Sequence, residues 1–438
     1  MRTIACIAAL FVWIDGSSQA MAIAPEDGGR GNGVEEMVKV TPPEGILKQL
    51  FCADVGVDPA CSDAVPRLIR LLRSPDRDTR LGAMFALGEF HQEAESAIPL
   101  LARCLGQDQG LGEAAAQALG QISTQSNEAL PILLKAANSQ DAPLRARAAL
   151  GLGFVRHNPD VVLPALLRCL RDSDTSVQVN AARGLYNLHH TTTGRVLPRL
   201  ERALARSSGM LKVELSRTVG ILQILAHKRL EVVPNLIQGL KDKDPCVRSR
   251  AAQVLGNLSG YYVVGIRDFP HAAEAVDALV EALGDRDENV RRSALDALSY
   301  TRRISDRGVR VLIDVLKDPD PDIRTLAAGV LERNGPKAKG AVPALKEVAR
   351  NDPDEMVRVQ SASALWEIEH RPEWANLIAQ HLLKCVDPYV RYCAAFSMRN
   401  MESQKGIVVP ALKQALRDSD ELVREIAKST LEQLESFP

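Results

Sequence analysis

Four of the eight histidines, His91, His157, His190 and His370, recur near the ends of apolar helical stretches, where imidazoles could line up as metal ligands. A metal site also needs carboxylates or further ligands at matching spacing, and the pattern supplies none. A polar or cationic side chain at a helix C-terminus is favourable for electrostatic reasons alone. The histidines are therefore read as structural, and no metal or other cofactor is expected. Eight cysteines form no Cys-x-x-Cys pair and no Cys-x-x-Cys-His, which removes zinc-ribbon and haem-attachment chemistry. Cys52 and Cys61 bracket the stretch FCADVGVDPAC and could close a small disulfide loop. Cys104 and Cys169, at the ends of corresponding apolar helices, read as small hydrophobes. The chain has no phosphate-binding Walker loop, no Gly-x-Ser-x-Gly elbow and no His-Glu-x-x-His. No catalytic residue is assigned.

These side chains sit on a repeating frame. Using the Arg of a recurrent Val-Arg as a mark, equivalent positions fall at Arg80, Gly112, Arg145, Gln178, Lys212, Arg248, Arg291, Arg324, Arg358, Arg391 and Arg424. The steps are 32 to 36 residues, except for one of 43. A period of this size signals a solenoid and overrides the two to four domains that the length alone would suggest. Each unit reads as two helices. Asp174, Asp244, Asp287, Asp320, Asp354 and Asp420 stand four residues before the mark, where a carboxylate can cap the amides of a first helical turn. Pro245, Pro321 and Pro388 follow such caps at the first helical position, which tolerates a missing amide. Behind them come an apolar residue, then Ala or Ser, then Leu at offsets −1, +3 and +7, all on one helical face. The preceding helix carries a Pro in nearly constant register, among them Pro66, Pro99, Pro164 and Pro410. The marked Arg is placed to reach an Asp of a neighbouring unit, giving a ladder of ion pairs. Aromatics are 4% against 46% hydrophobic residues, and no alternating strand pattern is present. The expected fold is all-α, a right-handed α-solenoid of about eleven two-helix repeats.

Binding residues follow from the same register. Offsets +2, +5 and +9 of the second helices should look outward, and they include Arg147, Asn180, Arg183, Asn187, Arg217, Arg250, Gln253 and Asn257. This is a polar, locally basic stripe. A second basic row, Arg195, Arg199, Arg202 and Arg206, lies on a first helix. The 43-residue step inserts an aromatic-rich stretch near 259–271 with Tyr261, Tyr262 and Phe269, which reads either as a binding loop or as a flap over its neighbours.

The string Asp-x-Asp-x-x-Val-Arg-x-x-Ala-Ala-x-x-Leu-Gly, as in residues 242–256, resembles the HEAT-repeat superfamily, and specifically the short HEAT-like repeats of phycobilisome (bilin) lyases. The resemblance implies a curved surface for binding, with the second helices lining its concave side. It leads to a non-catalytic protein-binding scaffold, with a lyase or isomerase acting on a tetrapyrrole, or a polyanion-binding module, as alternatives. Deoxyhypusine hydroxylase, a related branch, binds iron through His-Glu pairs, and none is present here.

Lys plus Arg (54) nearly equals Asp plus Glu (55), so bulk charge exerts no pull towards nucleic acid. At the N-terminus, Arg2, an apolar stretch over 4–14 and small residues near 18–22 read as an export signal peptide at 1–22. The apolar stretch is too short to span a bilayer, which takes about 20 residues. A disordered Gly-rich linker is expected at 23–43, a capping helix at 44–61 and the repeats over 62–438, in an exported protein with no membrane span once mature.

Overall fold

A computed structural model describes residues 60–123, 128–189, 196–226, 230–261, 271–301 and 304–436, together with Cys52 and Val57. The expected leader and linker lie outside these residues, as do nearly all of the expected capping helix and most of the insertion. Among the described residues every regular element is helical, and the fold is an all-α solenoid. The chain divides into two compact units, with the boundary between Gly239 and Leu240.

The first unit contains α1 (Ala64–Leu71), α2 (Arg77–Glu89), α3 (Ile98–Cys104), α4 (Gln109–Ile122), α5 (Ala129–Ala136), α6 (Ala142–Leu152), α7 (Pro159–Cys169), α8 (Thr175–Asn187), α9 (Leu197–Leu204), α10 (Gly209–Leu225) and α11 (Val233–Gly239). The second contains α12 (Pro245–Tyr261), α13 (Ala272–Ala282), α14 (Glu288–Ser299), α15 (Asp306–Val315), α16 (Pro321–Asn334), α17 (Val342–Asn351), α18 (Glu355–Glu369), α19 (Pro372–Lys384), α20 (Pro388–Ser397), α21 (Lys405–Ala415) and α22 (Glu421–Ser436). Odd-numbered helices are the first of each repeat and even-numbered ones the second. Second helices stack on second helices: α2, α4, α6, α8 and α10 in one unit, and α12 through α22 in the other. The apolar stripe faces these contacts. Leu87, Leu152, Leu185, Leu255, Leu298, Leu331 and Leu365 are all buried. Each such leucine contributes about 1.5–3 kcal/mol by leaving water.

The Asp-x-Asp pair divides its labour. The second Asp caps the second helix. Asp174, Asp244 and Asp320 accept the amide two residues on, while Asp287, Asp354 and Asp420 accept two amides each. Asp141, in the same register, makes no such bond. The residue two on is Pro143, which has no N–H to offer. The first Asp folds back on the second: Asp172, Asp285, Asp318, Asp352 and Asp418 each accept the backbone N–H two residues later.

The marked arginine serves two turns at once. In Arg80, Arg145, Arg248, Arg291, Arg324, Arg358, Arg391 and Arg424, Nη1 donates to the carbonyls five and six residues earlier, closing the turn of its own repeat. In five of them Nε, joined by Nη2 in all but Arg291, reaches forward to the first Asp of the next repeat: Arg145 to Asp172, Arg248 to Asp285, Arg291 to Asp318, Arg324 to Asp352 and Arg391 to Asp418, with Nε at 2.7–3.0 Å. Hydrogen bonding from arginine holds the Asp172, Asp285 and Asp418 carboxyls below the usual carboxylate range.

The glycine of Leu-Gly answers a need for close approach. A Cβ on Gly120 would sit 2.2 Å from the carbonyl oxygen of Gly151, and one on Gly153 would sit 2.3 Å from the Cα of Gly184. Second helices here pack backbone against backbone, closer than alanine allows. The first-helix prolines serve in two ways. Pro99, Pro198 and Pro343 sit at helix starts, whereas Pro164 and Pro410 lie inside α7 and α21, which begin a turn earlier.

Candidate binding surface

In the first unit, the +2, +5 and +9 positions are held by the neighbouring repeats. Arg147 is half-buried and its Nη1 donates to the carbonyl of Leu105 at 2.7 Å. It occupies room left by Gly112, where a Cβ would come within 2.6 Å of the Arg147 Cδ. The glycine at the arginine mark is thus filled by a side chain from the next repeat. Asn180 donates to the Ala146 carbonyl at 3.1 Å, and Thr218 to that of Ala182 at 3.0 Å. Arg183 is half-buried, with Nε 2.9 Å from Oε1 of the enclosed Glu214. Asn187 is half-buried beside it.

Two residues expected to look outward do not. Asn180 and Arg217 are buried. Asn180 turns onto the Ala146 carbonyl of α6, and Arg217 lies on α10, which is buried without a break from Val213 to Gln223, so that its +5 position has no open side. The Arg217 guanidinium lies 3.5 Å from the ring centre of Tyr186, an arrangement favourable to a cation over a π face. It is 3.9 Å from Glu214.

In the second unit Arg250, Gln253 and Asn257 are half-buried. Arg250 donates to Gln253 at 3.1 Å, and Gln253 donates in turn to the Ser293 hydroxyl at 3.3 Å. Tyr262 and Phe269 lie outside the described residues, and Tyr261 is described only as the last residue of α12, without its side chain. Cys52 is buried and Cys61 exposed, and no bridge between them is among the described bonds.

Carboxylates in the same register of the second unit escaped the sequence reading, which followed only the basic repeats. Asp296, at +5 on α14, and Glu332, at +8 on α16, are pushed to higher pKa by burial. Arg292 opposes this at Asp296, while Glu367 adds to it at Glu332. Ser363 donates to Glu332 Oε1 at 2.6 Å, and Gln360 donates to its other oxygen. Tyr300, at +9, is raised by burial and by Asp296. Extending the count of offsets to repeat seven would have found Asp296 and Tyr300, whereas Glu332, at +8, falls outside those offsets. Second-helix faces therefore differ in kind, with arginine and asparagine on α6 and α8 and carboxylates on α14, α16 and α18.

Elsewhere the chemistry is muted. A cleft of about 270 Å³ is lined by Glu355, Arg358, His381 and Cys385, and Cys385 stands where other repeats carry the ladder aspartate. Burial and the hydrogen bond that the thiol donates to Glu355 push its pKa up to about 11. A thiol so held is no nucleophile at neutral pH. His91 and His370 take left-handed backbone angles, φ 48° and 51°, a region in which histidine is enriched. His157 is exposed and His190 lies outside the described residues. Among the described residues, no three His, Cys, Asp or Glu side chains are grouped to hold a metal ion. No described helix is long and apolar enough to cross a membrane.

The family described as HEAT repeats matches residues 65–153, 130–212, 233–332, 276–366 and 309–399, more than half of the chain. The match is to HEAT repeats at large rather than to the bilin lyase type. A HEAT repeat-containing taxis protein of Halobacterium salinarum is 31% identical over 154 residues, covering 31% of this chain and 35% of that protein. The alignment thus spans about a third of the relative's length. Among solved structures, the karyopherin Kap121p bound to the extreme C-terminus of the phosphatase Cdc14p is 14% identical, with a TM-score of 0.49 over 89% of this chain and 51% of that one. An engineered protein is 23% identical, with a TM-score of 0.39 over 85% and 98%.

Proposed function

Because the chain belongs to the HEAT repeats, we propose that this solenoid is a non-catalytic scaffold whose second-helix faces bind a partner protein. The observation that carries this reading is the way polar side chains are held in place. Arg147, Arg183 and Asn187 remain partly open to solvent, and the first two are fixed by Leu105 and Glu214 of adjoining repeats. Side chains ordered in advance lose little entropy on binding, which favours recognition of one surface. Arg183 and Arg217 are engaged with Glu214 and Tyr186, which weakens their case as a polyanion site. The test is capture from native extract, reconstitution with the purified partner, and hydrogen-exchange mapping of the complex. Protection of α6 and α8 supports the scaffold; a partner that leaves both unprotected refutes it. Export remains part of the proposal, on the strength of Arg2 and the apolar run at 4–14. N-terminal sequencing of the protein from its source checks it, since an intact Met1 rejects a cleaved leader.

A further inference from the structure

Within the second unit, the turn edge of the last two repeats departs from the pattern of the others. Six large apolar side chains are exposed among the described residues, and five of them lie here: Leu383, Val386, Tyr389, Leu416 and Leu422. Leu383 and Leu416 share one register, eight residues before the mark. They are 38% and 39% exposed, while Leu283 and Leu316 in that register are each 2% exposed. Tyr389 and Leu422 share another register, two before the mark, where other repeats place Asp78, Ser176, Asn289 and Asp322, or the only partly exposed Met210 and Met356. Val386 is 90% exposed at a turn position that elsewhere holds Ser173, Lys243 or Pro319. Burial in the core explains none of these five. Apolar side chains exposed together on one edge of the last two repeats are what an interaction site requires.

A cleft of about 700 Å³ opens beside the patch, with Leu383 and Ala415 in its lining next to Lys413 and Arg417. Lys384, Lys413 and Arg417 are exposed and enter no ion pair among the described residues. The nearby acids are already engaged. Asp418 is gripped by Arg391 at 2.7 and 2.8 Å, while Asp387 and Asp420 accept helix amides. Asp387, Asp420 and Glu421 keep their charge nearby, but among the described residues none of them pairs with these three cations.

We propose that this edge docks an acidic peptide segment of a partner protein, with apolar anchors in the cleft and carboxylates against Lys384, Lys413 and Arg417. The charge selects an acidic occupant, and the concave cleft favours a protruding segment over the flat surface of a bilayer. This surface is separate from the second-helix face of the scaffold reading, so either can fail alone.

Fluorescence anisotropy on the full chain tests it with two labelled amphipathic helical peptides of equal length, one patterned Leu/Glu and the other Leu/Lys. Phosphatidylcholine vesicles with and without phosphatidylserine form a third arm. The acidic peptide is expected to bind at least tenfold tighter than the basic one. Val386→Ser with Tyr389→Ser should weaken it tenfold or more, and Lys413→Glu with Arg417→Glu should reverse the preference. The Lys413/Arg417 variant should keep the wild-type melting curve, and the Val386/Tyr389 variant should stay close to it, losing only the stacking of Tyr389 on Tyr392 and its bond with Cys393. Failure of the acidic peptide to bind, equal binding of the two peptides, indifference to both variants, or binding to vesicles alone would each overturn the proposal.

Discussion

Removing Arg324 puts the arginine ladder to its most direct test. Its guanidinium and the Asp352 carboxylate are 10% and 7% exposed and meet through two parallel bonds of 2.8 Å. Nη1 also closes the turn at Asp318 and Pro319, at 2.9 and 3.1 Å. Arg324→Ala leaves a nearly enclosed carboxylate with one remaining donor, the amide of Asp354. Losing one partner of a buried pair costs about 3–5 kcal/mol. Arg358 provides the comparison: it closes its own turn in the same way, but its only acid is Glu355, 41% exposed at 3.2 Å. That pair is worth about 0–1 kcal/mol, and the turn bonds are lost in both variants, so Arg358→Ala should cost roughly 3 kcal/mol less than Arg324→Ala. Urea unfolding can be followed locally, because Trp366 is buried in the repeat that receives the Arg324 fork and Trp374 at the start of the following one. A cycle with Asp352→Ala should give a coupling above about 1.5 kcal/mol between residues in contact. Coupling below about 0.5 kcal/mol, or an Arg358→Ala loss as large as that of Arg324→Ala, would refute the claim that the forward pair joins the repeats.

Other substitutions separate the remaining contributions. Gly153→Ala should destabilise by about 1–3 kcal/mol through overpacking against Gly184, seen as a lower urea midpoint with unchanged slope. Leu255→Ala should cost about 2–5 kcal/mol by opening a cavity, and Asp244→Ala about 1 kcal/mol by losing a cap; the reverse order in a melting series would mean that the register is wrong. Glu332 holds its proton to higher pH in the folded chain than when unfolded, so its ionisation lowers stability at neutral pH. Glu332→Gln should therefore raise Tm at pH 7, with the gain fading as pH falls towards the ordinary glutamate value. Asp172, Asp285 and Asp418 act in the opposite sense. Their lowered pKa adds stability above about pH 4 that disappears as acid protonates them, so a melting series into acid should lose Tm below that point.

Local chemistry was readable and enclosure was not. An Asp that caps an amide two residues on needs only its own turn, so Asp174, Asp287 and Asp420 follow from spacing, and even the failure of Asp141 was written in Pro143. The forward reach of the arginines was also legible, because donor and acceptor recur with the period. What the first Asp does, and that Nη1 closes the turn behind it, required the geometry. Arg217 shows the harder limit: its offset matches that of Arg183, yet α10 is covered on every side and α8 is not. No count of residues along one helix reports what packs over it. The exposed leucines at 383 and 416 make the same point in reverse, since their register puts other leucines inside.

The turn arginine gives every standard repeat both halves of one fastener, a hook pointing forwards and an eye facing back. A block of one period can then be cut out or copied without leaving either half unmatched. Excising residues 292–324, for instance, would set Arg291 where Arg324 stands, directly before the waiting carboxylate of Asp352. Growth and loss of whole repeats need invent no new joint, whereas a cut that is not a whole number of periods would strand a charge at the seam.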